Sequence, residues 1–142
     1  MSGARALARR LAVPPLLALP LAAAAAEPCG ARLGAGVERA ESARYVVAFR
    51  PAPAPIAVGR AFALDAEVCP KRAAPRPTGL RVDAHMPEHR HGMNYRATVA
   101  SAGGARYRAE GLLFHMPGRW QIVFDVEAGA EVERAVRDVP LE

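Results

Sequence analysis

The sequence predicts an all-β fold, an immunoglobulin-like β-sandwich of about seven antiparallel strands. The first observation is that apolar residues recur with a period of two from Tyr45 onward, which is typical of strands with one buried face. The second is that clusters of proline and glycine separate these segments at short intervals, as turns do in sandwiches. A small β-barrel is the alternative architecture.

The segments 62–68 and 120–126 carry the clearest strand pattern, since apolar side chains occupy every second position in both. Their inward faces are Phe62, Leu64, Ala66 and Val68 in the first segment and Trp120, Ile122, Phe124 and Val126 in the second. We therefore expect Trp120 to anchor the core. The other strands are predicted at Tyr45–Arg50, Leu80–His85, Asn94–Ala100, Arg106–Phe114 and Glu131–Val139.

Residues 1–26 have the pattern of a secretory signal peptide. Arg5, Arg9 and Arg10 form a basic start, an apolar core follows at 11–21, and a run of alanines supplies a cleavage site. A retained membrane anchor is the alternative, but prolines interrupt the apolar core, which is shorter than the roughly 20 residues that a span needs. We expect a cleaved signal peptide, a periplasmic or secreted protein, and no stable membrane span after cleavage.

The charge of the chain does not indicate a nucleic-acid partner. The 142 residues correspond to about one domain and carry a formal net charge of +5. Three basic residues precede the apolar core of the signal peptide, so residues 27–142 carry 16 basic and 14 acidic residues, a net charge of +2. No basic face is evident, and nucleic acid is not expected to bind.

Two cysteines, Cys29 and Cys69, follow the signal peptide. An even number of cysteines in an exported chain favours a disulfide. Closing a loop of this length stabilises a fold by about 4 kcal/mol in the chain-entropy description. A thiolate metal pair is the minor alternative, because the two residues are far apart in sequence.

The four histidines, and every methionine after Met1, lie between residues 85 and 116. The first group is the segment 85–93, HMPEHRHGM, and the second is the segment 114–117, FHMP. Both lie where strands are predicted to end, so they could meet at one rim of a sandwich. Imidazole and thioether together suit a copper ion, because thioether favours Cu(I) and imidazole accepts either oxidation state.

His89, His91 and Met93 are the preferred candidate ligands. In an extended segment they alternate onto one side, with successive positions about 7 Å apart, so that their side chains can converge on one ion. Exposed histidines and gap-filling methionines are the alternative explanation for such residues. That explanation leads for each of the remaining candidates taken alone, which are His85, Met86, His115 and Met116.

Known catalytic and redox patterns are not met. Residues 85–89 match the H-x-x-E-H motif of zinc metallopeptidases, but Pro87 opposes the helix that this motif needs. A blue-copper centre needs a cysteine close to a histidine, whereas Cys69 lies 16 residues before His85. Without a credible nucleophile or carboxylate pair, we do not expect an enzyme.

Two segments carry a family resemblance: 86–93, MPEHRHGM, and 111–120, GLLFHMPGRW. Together with the valine–glycine strand start at 58–59, they resemble the YtkA-like domain family over about 58–126. The resemblance implies an exported, immunoglobulin-like domain, often associated with copper handling or respiratory-oxidase assembly.

The resemblance also assigns positions within the first segment. His91, Gly92 and Met93 match the central residues of the family motif, and His89 is a neighbour that is often able to bind a ligand. Arg90 stands where the family commonly has glycine, and it adds a positive charge beside the expected ion.

The sequence thus predicts a signal peptide at 1–26, an irregular N-terminal arm at 27–44 and a YtkA-like β-sandwich domain at 45–142. The predicted function is an exported copper-binding protein, a carrier or a homeostasis or oxidase-assembly accessory that works by ligand exchange. Its expected partner is a copper-handling or respiratory-oxidase assembly protein of the envelope. The alternative is a metal-free protein-interaction module of the cell envelope.

Overall fold

The computed structural model describes residues 25–142, so the predicted signal peptide lies outside the described residues except for Ala25 and Ala26. The described chain forms one short 3-10 helix and nine β-strands, and the all-β prediction is confirmed. The elements are η1 (Ala31–Leu33), β1 (Glu38–Glu41), β2 (Tyr45–Ala52), β3 (Ala61–Pro70), β4 (Gly79–Met86), β5 (His91–Gly92), β6 (Thr98–Ser101), β7 (Arg106–Leu113), β8 (Gly118–Ala128) and β9 (Glu131–Leu141). None of the helical segments within residues 25–142 is both long and apolar enough to cross a membrane.

The nine strands form one antiparallel sheet in the order β5-β4-β8-β9-β1-β2-β3-β7-β6. The ladder between β9 and β1 consists of the single pair Glu41↔Val136, a junction that we call the seam. The sheet curves into a half-barrel, and Phe49 of β2 meets Phe124 of β8 across the interior, with ring centroids 5.0 Å apart.

Side-chain ion pairs cross the seam where main-chain pairing is sparse. Arg44, between β1 and β2, binds Glu131 and Glu133 of β9. Arg137 of β9 reaches Glu38 of β1, with its Nη2 2.9 Å from Oε2.

Each predicted strand overlaps an observed one, but the sequence does not predict β1 and β5. β1 lies in the arm that we expected to be irregular, and of its four residues only Ala40 is buried, so an apolar alternation is missing. β5 has two residues, too few to show a period. β6 begins at Thr98 rather than Asn94, because the chain bends at Asn94 and Tyr95 before it enters the strand.

One hydrophobic core fills the concave side of the sheet. Trp120 is fully buried, as the alternation predicted, and the other large side chains in the core are Tyr45, Phe49, Phe114 and Phe124. The Tyr45 hydroxyl donates to the carbonyl of Pro75 at 2.9 Å, so its polar end is satisfied. No polar or charged residue of the described chain is fully buried, which leaves apolar burial as the main stabilising term.

The predicted disulfide between Cys29 and Cys69 is confirmed and fastens the N-terminal arm to the end of β3. The amide of Gly30 donates to Glu67 Oε2 at 2.8 Å. Gly30 has a φ of 82°, and a Cβ at this position would lie 2.5 Å from Cβ of Ala48. Only glycine permits the arm to approach β2 so closely.

Candidate metal centre

The first histidine group lies where β4 turns back into β5. Met86 pairs with His91 and His85 pairs with Gly92. Directly opposed residues of an antiparallel pair share one face, so Met86 and His91 are neighbours on the inner face. His85 alternates onto the opposite face of β4.

The turn between these strands holds His89 in place. The amides of His89 and Arg90 both donate to the carbonyl of Met86, at 3.2 and 2.9 Å. Arg90 has a φ of 55°, the left-handed conformation that reverses the chain within four residues. His85 is therefore on a strand and His89 in a turn, in agreement with the exclusion of a helical zinc motif.

The second histidine group lies in the connection from β7 to β8, packed against Trp120. Nε1 of Trp120 donates to the carbonyl of Met116 at 3.0 Å. The ring of Phe114 stacks on the indole, with centroids 4.5 Å apart and planes 6° from parallel. These two contacts position His115, which lies between Phe114 and Met116 in the chain.

The two histidine groups meet. The ring centroid of His91 lies 5.3 Å from that of His115 and 5.8 Å from that of His89. His91 and His115 also contact Trp120, with centroid distances of 5.9 and 5.3 Å. An imidazole nitrogen binds an ion at about 2.0 Å, so the centres of two rings on one ion are separated by roughly 5–6.5 Å. Both observed separations fall within that range.

The rings of His91 and His115 each have a nitrogen atom that can bind an ion. Nδ1 of His91 lies 3.1 Å from the carbonyl oxygen of Gly92. Because a carbonyl only accepts, this Nδ1 carries the proton and Nε2 keeps a free lone pair, as in metal-binding histidines. Nδ1 of His115 is buried and has no hydrogen-bond partner, a costly state for a polar atom that a bound ion would relieve.

The methionines take different positions around these rings. Met86 is fully buried on the face that carries His91, and its methyl group occupies the space that a Cβ on Gly118 would need. Met116 is half-buried against the core. Met93 is also half-buried, packs against the core and lines a groove beside β4.

Acidic side chains contribute little to this centre. Glu88, in the same turn, accepts a hydrogen bond from Arg119 Nε at 3.1 Å, and this bond raises the pKa of Arg119. Within residues 25–142, no group of three or more histidine, cysteine, aspartate or glutamate side chains is arranged to hold a metal ion. A third ligand would therefore be a thioether, a water molecule or a donor from a partner. Nitrogen and sulfur donors of this kind suit copper better than magnesium or calcium.

A groove of about 610 Å³ lies beside the histidines, along the edge of β4 that β5 leaves open. Its walls include the β4 residues 80–83, Met93, and Tyr95, which is 63% exposed. The amide of Ala84 on this edge is bonded to the carboxylate of Asp83 at 2.8 Å rather than to another strand. The groove combines apolar and charged side chains with open strand edge.

The sequence did not identify the residues that support the histidines. Trp120 was predicted as a core anchor, but its contacts with His91 and His115 depend on the pairing of distant strands. Gly118 makes room for Met86, and the Pro117-Gly118 pair where β8 begins is its only signal in the sequence.

Comparisons of the chain with protein-family models, with curated proteins and with solved structures find no match. The resemblance to YtkA-like domains therefore remains a prediction from the segments 86–93 and 111–120 and the strand start at 58–59.

Proposed function

We propose that this chain is an exported copper-binding protein, a carrier or a homeostasis or oxidase-assembly accessory that works by ligand exchange. The observation that carries the proposal is the convergence of His91 and His115, 5.3 Å apart, from two separate segments of the chain. Met86 pairs directly with His91 in the β4–β5 ladder, so its thioether belongs to the same face as that ring. The proposed partner is a copper-handling or oxidase-assembly protein of the envelope.

The proposed ligand roles follow from burial and hydrogen bonding. His91 offers Nε2, because its Nδ1 donates to the Gly92 carbonyl, and His115 offers Nδ1, which is buried without a hydrogen-bond partner. Met86 is the nearest thioether by strand register. The ring of His89 lies on the exposed side of these ligands. The incomplete coordination leaves a position for a partner's ligand, which transfer by exchange requires.

Export and family membership are parts of the same proposal. The disulfide between Cys29 and Cys69 supports an oxidising compartment, in keeping with a cleaved signal peptide and a periplasmic or secreted location. The antiparallel sheet, which curves around one core, supports an immunoglobulin-like, YtkA-like domain.

Titration with copper tests the proposed function. The chain, with its disulfide intact, is titrated with Cu(I) and with Cu(II) against a competing chelator. We expect one bound copper ion, and we expect His91→Ala and His115→Ala each to weaken the affinity by at least about 100-fold, since even supporting residues are worth 10–100-fold. His85→Ala is the matched control, because this side chain lies on the other face of β4, and it should leave the affinity unchanged.

The metal-free interaction module is the second candidate function. The groove along β4 favours it, because an open strand edge beside the exposed ring of Tyr95 is a surface that another chain can cover. Native protein that binds neither Cu(I) nor Cu(II) would reject the copper proposal and leave this module.

A further inference from the structure

The three histidine rings of the centre form a row that runs from solvent toward the core. His89 is exposed in the turn, His91 is half-buried, and His115 is half-buried with its Nδ1 inaccessible to solvent. The rings of the row follow one another at centroid distances of 5.8 and 5.3 Å. The two inner rings contact Trp120, which has no solvent exposure.

We propose that this row is a loading path, in which His89 is the first ligand to take up copper and His91 and His115 are the final ligands. This inference depends on the proposed function and adds an order to it. His91 is the one ring that is close to both of the others, so an ion held by His89 can gain the inner ligand before it loses the outer one.

The step is an exchange of ligands without electron transfer. A bond forms between copper and Nε2 of His91, which has a free lone pair because Nδ1 donates to the Gly92 carbonyl. The bond between copper and His89 then breaks, and the lone pair returns to that imidazole. The oxidation state of copper is unchanged, and the Nδ1 of His115 completes the inner pair.

His89 lies near the centre, but in this proposal it is not one of the ligands that hold copper at equilibrium. Its main chain is fixed by the hydrogen bond from its amide to the carbonyl of Met86, while its side chain is free in solvent. A donor molecule can reach an exposed ring but not the buried Nδ1 of His115. His89 is therefore expected to affect the loading rate more than the affinity.

Stopped-flow fluorescence tests the loading path. Trp120 is the only tryptophan of the chain and lies beside the inner rings, so quenching of its fluorescence reports arrival of copper at the inner pair. Cu(I) is delivered from a chromophoric chelator, and the affinity is measured separately at equilibrium. For His89→Ala we expect loading to be about tenfold slower, with an affinity within about threefold of native. His85→Ala, the matched control on the other face, should change neither quantity.

The possible failures are distinguishable. If His89→Ala loads at the native rate, or loses affinity as severely as His91→Ala, the loading path is rejected while the proposed copper site stands. If the native chain binds no copper at equilibrium, the proposed function is rejected, and the loading path with it.

Discussion

Arg90 illustrates how one residue links local backbone geometry to the centre. Its φ of 55° lies in the left-handed region, which costs an ordinary residue roughly 1–2 kcal/mol relative to a right-handed conformation. The side chain is exposed and lies between His89 and His91 in the sequence. Glycine would adopt this conformation without strain.

We predict that Arg90→Gly stabilises the fold by about 0.5–1 kcal/mol, since relief of strain exceeds the added flexibility of the unfolded chain. It should also tighten copper binding about two- to threefold, because a positive charge leaves the neighbourhood of the ion. Urea unfolding and chelator competition measure the two effects.

Arg72→Gly is the matched control, because Arg72 is also exposed and has a φ of 44° but belongs to the loop after β3. It should stabilise the fold to a similar degree and leave copper affinity unchanged. Equal effects of the two variants on affinity would contradict the local charge argument.

At the scale of strands, two rows of arginine, aspartate and arginine hold the outer face of the sheet. In one row Arg81, Asp125 and Arg134 lie in register on β4, β8 and β9. Arg134 binds the Asp125 carboxylate with both Nε and Nη2, at 2.7 and 2.9 Å. Hydrogen bonding to Arg134, with the nearby charges of Arg134 and Arg81, lowers the pKa of Asp125 against the opposing effect of burial.

The second row repeats the arrangement in the other half of the sheet. Arg50, Asp65 and Arg108 lie in register on β2, β3 and β7. Burial opposes the ionisation of Asp65 most strongly, but hydrogen bonds from Arg108 and Arg50 together hold the pKa of Asp65 below its ordinary value. Each half of the sheet therefore has a central carboxylate that ties three strands together.

We predict that Asp125→Asn lowers the free energy of unfolding by about 1–2 kcal/mol at pH 7, the contribution of a bidentate charged pair. Because the folded pKa of Asp125 is lowered, this contribution is full above the ordinary pKa of aspartate and is lost as pH falls below about 4. Native protein and variant should therefore converge in stability toward pH 2. Urea unfolding across this pH range measures the difference.

Asp138→Asn is the control for this prediction, since its carboxylate on β9 is 54% exposed and an exposed pair contributes little. Its effect at pH 7 should be smaller than that of Asp125→Asn. An Asp125→Asn deficit that persists unchanged at pH 2 would contradict the assignment.

Local pattern accounts for most of the fold but not for the centre. At 62–68 and 120–126 one face of the strand is buried, so apolar residues alternate with polar ones along the sequence. Both strands could therefore be predicted from consecutive residues. β1 is charged at most positions and owes its existence to pairing with β2, so the sequence carried no sign of it. The approach of His91 to His115 depends on the β4–β8 and β3–β7 pairings, which join residues far apart in the chain.

At the scale of the molecule, the disulfide and the centre lie at opposite ends of β3. The amide of Gly59, just before β3, donates to the carbonyl of Phe114 beside His115, at 2.8 Å. Cys69 lies near the other end of the strand, about 26 Å away at the usual rise per residue. We therefore expect the stability of the fold and the proposed copper binding to be separable.

We predict that the double variant Cys29→Ala/Cys69→Ala loses about 4 kcal/mol of unfolding free energy, because the bond closes a loop with a sequence separation of 40. Copper affinity of the folded variant should be native. Urea unfolding and chelator competition measure the two quantities, and a loss of affinity in protein that is still folded would show that the arm and the centre are coupled.

The seam between β9 and β1 determines how the two halves of the sheet separate. Only one residue pair links β9 and β1 in the strand ladder, and the disulfide lies within one half of the sheet. The halves are therefore held together mainly by the shared apolar interior and by ion pairs on the surface. Cooling weakens the hydrophobic stabilisation of the interior, and salt screens the surface ion pairs. We therefore expect a cold solution of high ionic strength to be the condition that most favours separation of the halves, with the hydrogen-bonded ladders within each half intact.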